Sequence, residues 1–309
     1  MSPPRALFVT LSNIGDLVMT TPALNAMHAA FPDHVIDVVA DRRSSALLHA
    51  CPFLGALHHR EKSTGKLGLL RLAYALRRNH YELAVDLRTD FLPWLVHARR
   101  RGVRWQSRAA GPHAVEQHFA VAARLLAPMK AIPMPRIWYS SLDAAAASGA
   151  LAALPGSRWL ALGPGANWVG KIWPLQHFVR LSALLAPDFD AIVVLGGVND
   201  RARAAALAAE IALPTCDLSG RTSLPAAAAV LARCAIFVGN DSGLGHMAAA
   251  VGTPTVTLFG PGDPERYRPW GPKAMVARAP DRDLQRLEPV HVAADIRAHL
   301  AALRAQGLL

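Results

Sequence analysis

The chain has 309 residues, too many for one ordinary core and suited to two domains of roughly 150 residues each. Its apolar fraction of 52% and lack of a low-complexity tail exclude a disordered protein, and no apolar run reaches the ~18 residues of a membrane-spanning helix. The net charge of +11 is uneven: residues 1–150 hold 18 Lys+Arg against 10 Asp+Glu, and residues 151–309 hold 15 against 12. The first half should therefore attract something acidic, whether nucleic acid, a phospholipid surface or an anionic substrate.

The first apolar run, "ALFVTL" (6–11), reads as a strand. It is too short for the apolar segment of a signal peptide, so a cytoplasmic protein is expected. A helix follows over 21–31, then a strand at 35–40 and a short helix in "RSSALLHAC". An amphipathic helix is expected over 67–79, a strand at 82–87 and a helix over 113–126. Residues 128–157 are Pro-rich and read as an irregular link. The rhythm then restarts with strands at 159–163 and 190–197, in "AIFVGND" and in "TPTVTLFG". Helices lie between them, and a last one, "VHVAADIRAHLAAL", is free to pack back on the first half. Apolar strands separated by helices imply parallel sheets covered on both faces. Two such series predict Rossmann-like domains over 1–150 and 151–309, with parallel sheets facing a central cleft, the default ligand position. Cys51, Cys216 and Cys234 are scattered and form no CxxC, which indicates neither a disulfide framework nor a zinc site.

Three junctions between strand and helix carry chemistry. "LGPGANWVGKIWP" (162–174) places Gly163, Gly165 and Gly170 after a strand, with Lys171 behind them. Residues 165–171 spell the start of a P-loop, but Ile172 stands where such a loop needs Ser or Thr for magnesium. What survives is a glycine-rich turn whose N–H groups and lysine suit a phosphate, or simply a turn with a surface lysine. "GNDSGLGHMAAAVGTP" (239–254) puts Asp241, Ser242, Gly243 and His246 at a second strand end beside a helix start. Its spacing is not that of a nucleophile elbow, so a serine hydrolase is disfavoured; a plain helix cap by Asp241 or Ser242 is the bland alternative. "LSNIGDLVMTTPAL" (11–24) puts Asp16 at the first such junction, either as an N-cap for a helix over 17–31 or as a proton acceptor. The string Asp188-Phe-Asp190 precedes a strand and Asp281-Arg-Asp283 sits in a charged loop, and no metal is predicted.

Together these stretches resemble glycosyltransferase family 9, the ADP-heptose:lipopolysaccharide heptosyltransferases. The blocks that carry the resemblance are "LFVTLSNIGDLVMTTPALNAMHAAFPDHVIDVVA", "YELAVDLRTDF", "HAVEQHFAVAARLL", "GPGANWVGKIWPLQHFVRL", "LGGVNDRARAAAL" and "LSGRTSLPAAAAVLARCAIFVGNDSGLGHMAAAVGTPTVTLFGPGDP". Arg88 and Thr89 stand where the family usually has Gln-Gly. The resemblance implies a GT-B fold and an inverting, metal-independent transfer that needs no cofactor. Asp16 would be the general base and Lys171 would stabilise the departing nucleotide diphosphate. Gly165, Asn167, Lys171, Asp200, Thr222, Asp241, Ser242, Gly243 and His246 would hold the donor, expected to be ADP-heptose. Asn13, Arg60, Lys62 and Arg88 would touch an anionic glycolipid acceptor, which implies peripheral contact with the inner membrane and no nucleic-acid partner. A GT-B nucleotide-sugar 2-epimerase, a family 9 transferase for another glycan, and a basic nucleic-acid-binding protein stay open as alternatives.

Overall fold

The computed structural model describes residues 3–60, 65–108 and 111–309. The chain divides into two units, Met1–Trp138 and Tyr139–Leu309. In the first unit, β1 (Arg5–Val9) is buried at every position from Ala6 on, which is why it reads as continuously apolar. It pairs in parallel with β2 (Val35–Ala40) on one side and β4 (His80–Asp86) on the other. The outer strands β3 (Leu54–His59) and β5 (His97–Val103) complete the order β3-β2-β1-β4-β5. Helix α1 (Ile14–Ala30) packs on α3 (Ala114–Ala123). Helix α2 (Gly65–Leu76) lays Leu72, Ala73 and Leu76 over Leu7, Val9 and Ala84 of the sheet.

The second unit begins with α4 (Ser141–Leu151) and contains β6 (Trp159–Gly163), α5 (Leu175–Leu185), β7 (Ala191–Val194), α6 (Arg201–Glu210) and β8 (Thr215–Asp217). After α7 (Leu224–Leu231) come β9 (Ile236–Asn240), α8 (Gly243–Ala250), β10 (Thr255–Phe259), α9 (Pro264–Tyr267), β11 (Ala274–Arg278) and α10 (Pro289–Ala305). Every pairing is parallel, in the order β11-β10-β9-β6-β7-β8. Its core joins Leu160, Leu162, Ile192 and Val238 of the sheet to Trp173, Phe178 and Ile296 of the covering segments.

The expected two parallel-sheet α/β units of the GT-B class are present, with local corrections. The chain divides after Trp138 rather than at 150. The stretch expected to be irregular contains α4, whose start is fixed by a capping box: Ser140 Oγ accepts from Asp143 N–H, and Asp143 returns to Ser140 N–H. Val292, Ala293, Ile296 and Leu300 of α10 are part of the second unit's own core, against α5.

Both sheets reverse direction of winding beside their first strand. In the first unit that switch point lies between β1 and β4, and in the second between β6 and β9. Open α/β sheets bind ligands at the carboxyl ends of the strands at such points. The three chemistry-bearing junctions of the sequence follow β1, β6 and β9.

Candidate active site

The glycine-rich turn with Lys171 and the block from Asp241 to His246 are both built on the second sheet. Strand β6 must end in glycine, because a Cβ at Gly163 would lie 2.6 Å from the Phe237 ring of β9. The loop that follows is fastened at both ends by one side chain. Asn240, fully buried at the end of β9, donates from Nδ2 to the Pro164 carbonyl (2.8 Å) and accepts at Oδ1 from the Trp173 N–H (3.0 Å). Trp173 is itself immobilised: its ring is fully buried, packs edge-on against Phe178 at 4.9 Å, and donates from Nε1 to the Leu287 carbonyl (2.9 Å). Between the fastenings Asn167, Trp168 and Val169 face solvent, and a tight turn over Val169–Lys171 brings Lys171 back to the sheet.

Lys171 Nζ lies 2.5 Å from Asp241 Oδ2, and the Asp241 side chain is 9% exposed. The buried carboxylate thus holds the ammonium at the strand end. The next residue, Ser242, occupies the N-cap position of α8 (φ −150°, ψ 173°), but its hydroxyl makes no cap bond and is buried without a hydrogen-bond partner. The reading of Asp241 or Ser242 as a plain side-chain cap is therefore set aside: one engages Lys171 and the other bonds nothing. The first N–H groups of α8, from Gly243 on, have no partner within the helix and point along the positive end of its dipole. His246 is buried one turn further on. Asp200 closes the other side. Its carboxylate accepts from Gly197 N–H (2.8 Å) and lies so close to Gly165 that any Cβ there would collide with it. Thr222 sits half-buried in the turn before α7, and Ser223, not Thr222, caps that helix.

Two residues that the sequence reading did not single out belong to this end of the sheet. Asn240 sets the loop, as above. Ser219, fully buried with an unpartnered hydroxyl, faces Gly196, where a Cβ would be 3.1 Å from its Oγ. The sequence signal for both was proximity to chosen residues, one position before Asp241 and three before Thr222.

In the first unit Asp16 is not the N-cap. The helix starts at Ile14, Asn13 holds the N-cap position, and Asp16 lies half-buried in the first turn, where its Oδ2 accepts from Asn13 Nδ2 (2.8 Å). A carboxylate that caps no backbone group keeps its second oxygen available. Arg88 follows β4. Its guanidinium is 6% exposed, 3.5 Å from Asp41 Oδ2, and its terminal nitrogens make no hydrogen bond. Burial, then the like charge of Arg60, depress its pKa, while Asp41 opposes them. Arg43 holds the Asp41 carboxyl below its usual range, chiefly through a side-chain hydrogen bond of 3.0 Å. Asp86, buried at the end of β4 and raised by that burial, accepts from the N–H groups of Arg88 (2.9 Å) and Thr89 (2.7 Å), so the Arg88-Thr89 pair shapes this turn. Arg60 lies just past β3, and Lys62 lies outside the described residues.

Among the described residues no three His, Cys, Asp or Glu side chains gather as metal ligands, and no helix is long and apolar enough to cross a membrane. Asp188 pairs with Arg297 (2.7 Å), and Asp190 with Arg158 (2.7 Å), whose side-chain bond lowers Asp190 to about 2. Burial pushes Cys51 up to about 11 and Cys234 to about 12, so both are protonated thiols at neutral pH rather than nucleophiles.

This arrangement agrees with the relationships of the chain. Lipopolysaccharide heptosyltransferase 2 of Salmonella typhimurium is 29% identical over 306 residues, covering 89% of this chain and 88% of that one. The structure of E. coli ADP-heptose lps heptosyltransferase II superposes with a TM-score of 0.81 at 25% identity, over 97% of this chain and 99% of the other. That of E. coli heptosyltransferase WaaC with ADP gives 0.79 at 25% identity, over 96% and 99%. The profile of glycosyltransferase family 9 (heptosyltransferase) matches residues 69–292, a span that contains the whole loop fastened by Asn240 and the start of α8. The chain belongs to glycosyltransferase family 9, and it is a glycosyltransferase.

Proposed function

We propose that the protein transfers heptose from ADP-heptose to the inner core of lipopolysaccharide, with inversion at the anomeric carbon and without a metal ion. The observation that carries this reading is the Lys171–Asp241 pair beside the start of α8 and the unpartnered Ser242 hydroxyl. A cation, a hydroxyl and free helix N–H groups at one strand end suit a diphosphate. A relative with ADP and relatives named for lipopolysaccharide support the choice of donor and acceptor.

In this reading each sheet supplies one half of the chemistry at its switch point. Asp16 takes the proton from the acceptor hydroxyl as its oxygen attacks the anomeric carbon. The bond to the diphosphate breaks, and Lys171 with the α8 N–H groups receives the charge. Asp241 keeps the ammonium aimed. Gly165 gives the diphosphate backbone access, Asp200 and Thr222 contact the nucleoside, and Asn167, Gly243 and His246 complete the donor contacts. Asn13, Arg60, Lys62 and Arg88 meet the acceptor's anionic groups, and the protein works at the inner face of the cytoplasmic membrane, with no nucleic-acid partner.

The test is a thermal-shift panel of ADP-, GDP-, UDP- and dTDP-sugars, followed by transfer to a Kdo-bearing lipid A acceptor with and without EDTA. ADP-heptose should give the largest shift, and EDTA should leave turnover unchanged. Preference for another nucleotide would remove the donor assignment, and a strict need for added Mg²⁺ would remove the metal-free one. Isomerisation of a nucleotide sugar without acceptor would favour the epimerase.

A further inference from the structure

The first unit has a surface that its fold does not need. Helix α2 buries Leu72, Ala73 and Leu76 in the sheet, as an amphipathic helix should. Yet Leu67, Leu70 and Tyr74, spaced i, i+3 and i+7, form a second apolar stripe on its solvent side. The stripe does not stand alone. Arg77, just beyond the helix, donates from Nε to the Leu95 carbonyl (2.8 Å), which brings the end of α2 against the turn Leu92–Trp94. That turn presents Trp94, whose ring stacks on Trp105 with centroids 6.0 Å apart, and it follows the exposed Phe91. All six of these large apolar side chains are between 46% and 71% exposed. Soluble surfaces seldom cluster such groups without a partner.

The charges around the stripe say which partner. Residues 65–78 contain Lys66, Arg71, Arg77 and Arg78 and no carboxylate. On a helical projection Arg71 lies about 40° beyond one edge of the stripe and Lys66 about 40° beyond the other, and Arg77 and Arg78 follow the end of the helix. An apolar strip edged by cations, with tryptophans beside it, is the composition of a segment that lies in the headgroup region of an anionic bilayer. We infer that α2 and the Trp94–Trp105 pair form a docking face for an anionic lipid surface, with α2 lying in the membrane plane. The inference rests on the proposed function in one respect, that the acceptor is a membrane glycolipid.

The experiment is co-sedimentation of the full chain with phosphatidylcholine vesicles, with and without phosphatidylglycerol, in the absence of nucleotide sugar. The native protein should bind the anionic vesicles and bind the neutral ones at least tenfold more weakly. Each cation near an anionic leaflet contributes about fivefold in partition, so Arg71→Gln/Arg78→Gln should lose roughly tenfold to thirtyfold. Leu70→Asp/Tyr74→Asp and Trp94→Ser/Trp105→Ser should lose at least as much, with unchanged melting temperature and unchanged turnover on a soluble, deacylated acceptor. Equal binding to both vesicle types, or variants that bind like the native chain, would overturn the inference. So would a native dimer that the variants turn into monomer, since the face would then belong to a second copy. Arg71 and Arg78 are exposed, so the charge variant separates lost docking from misfolding. Because no donor is present, a failure of sugar transfer leaves the vesicle result standing, and the reverse holds too.

Discussion

In the proposed mechanism Asp16 and Lys171 divide the chemistry, and each has a neighbour beside it in the fold. Asp16 accepts one hydrogen bond, from Asn13, and caps no backbone group. Replacement by Asn keeps the shape and removes the base, so turnover should fall by about 10²–10⁴-fold while ADP affinity measured by calorimetric titration stays within a factor of two or so. Turnover within a few-fold of the native value would reassign the base. Lys171 is held by Asp241 across 70 residues of sequence. Lys171→Ala should cost on the order of 10²–10³ in kcat through lost stabilisation of the leaving diphosphate. Asp241→Asn, which leaves the lysine in place but unanchored, should raise the donor KM more than it lowers kcat. Equal kcat losses in both variants would make Asp241 a direct participant. The sequence showed both residues as candidates but not as a pair, because a contact over that separation exists only once β6 and β9 lie side by side.

Elements explain what the sequence revealed and what it hid. The inner strands were legible because burial on both faces makes them apolar at every position, as in "WLALG". The four strands that the apolar pattern did not single out, β3, β5, β8 and β11, are the four sheet edges. With one neighbour each they tolerate polar residues, and β5 reads "HARRRGV". Helix α4 was hidden behind Pro-rich flanks although its Ser-x-x-Asp start was visible. The lysine-bearing loop was legible as glycines and a lysine, whereas its fastening by Asn240 was not, since an asparagine beside a conspicuous Asp-Ser-Gly reads as part of a turn. Asn240→Ala would leave the Trp173 N–H and the Pro164 carbonyl buried and unsatisfied, at about 1–3 kcal/mol each. The expected result is a lower unfolding temperature together with a several-fold higher donor KM. A loss of stability with native KM would show that the loop holds its shape without the clamp.

At the scale of the whole chain, the two units have separate cores, one around Leu7, Val9 and Leu72 and the other around Leu160, Trp173 and Phe178. Separate cores favour separate unfolding events. Calorimetry is expected to show two transitions, and ADP at about 100 times its Kd should stabilise one of them by about 2.7 kcal/mol while leaving the other in place. A single transition that moves as a block would mean that the units unfold together. The charge asymmetry of the sequence gains a location at this scale as well, since the cations of residues 65–78 lie on the first unit.

Trp173 has a consequence that reaches beyond its own packing. Its indole rests on the Leu287 carbonyl, two residues ahead of the final helix, and its backbone forms one end of the lysine-bearing loop. The tail of the polypeptide therefore steadies the aim of an ammonium group it never touches. A lesion such as Ile296→Ala, buried far along α10, should announce itself as weakened nucleotide capture as well as a softer protein, and titration with ADP would reveal it.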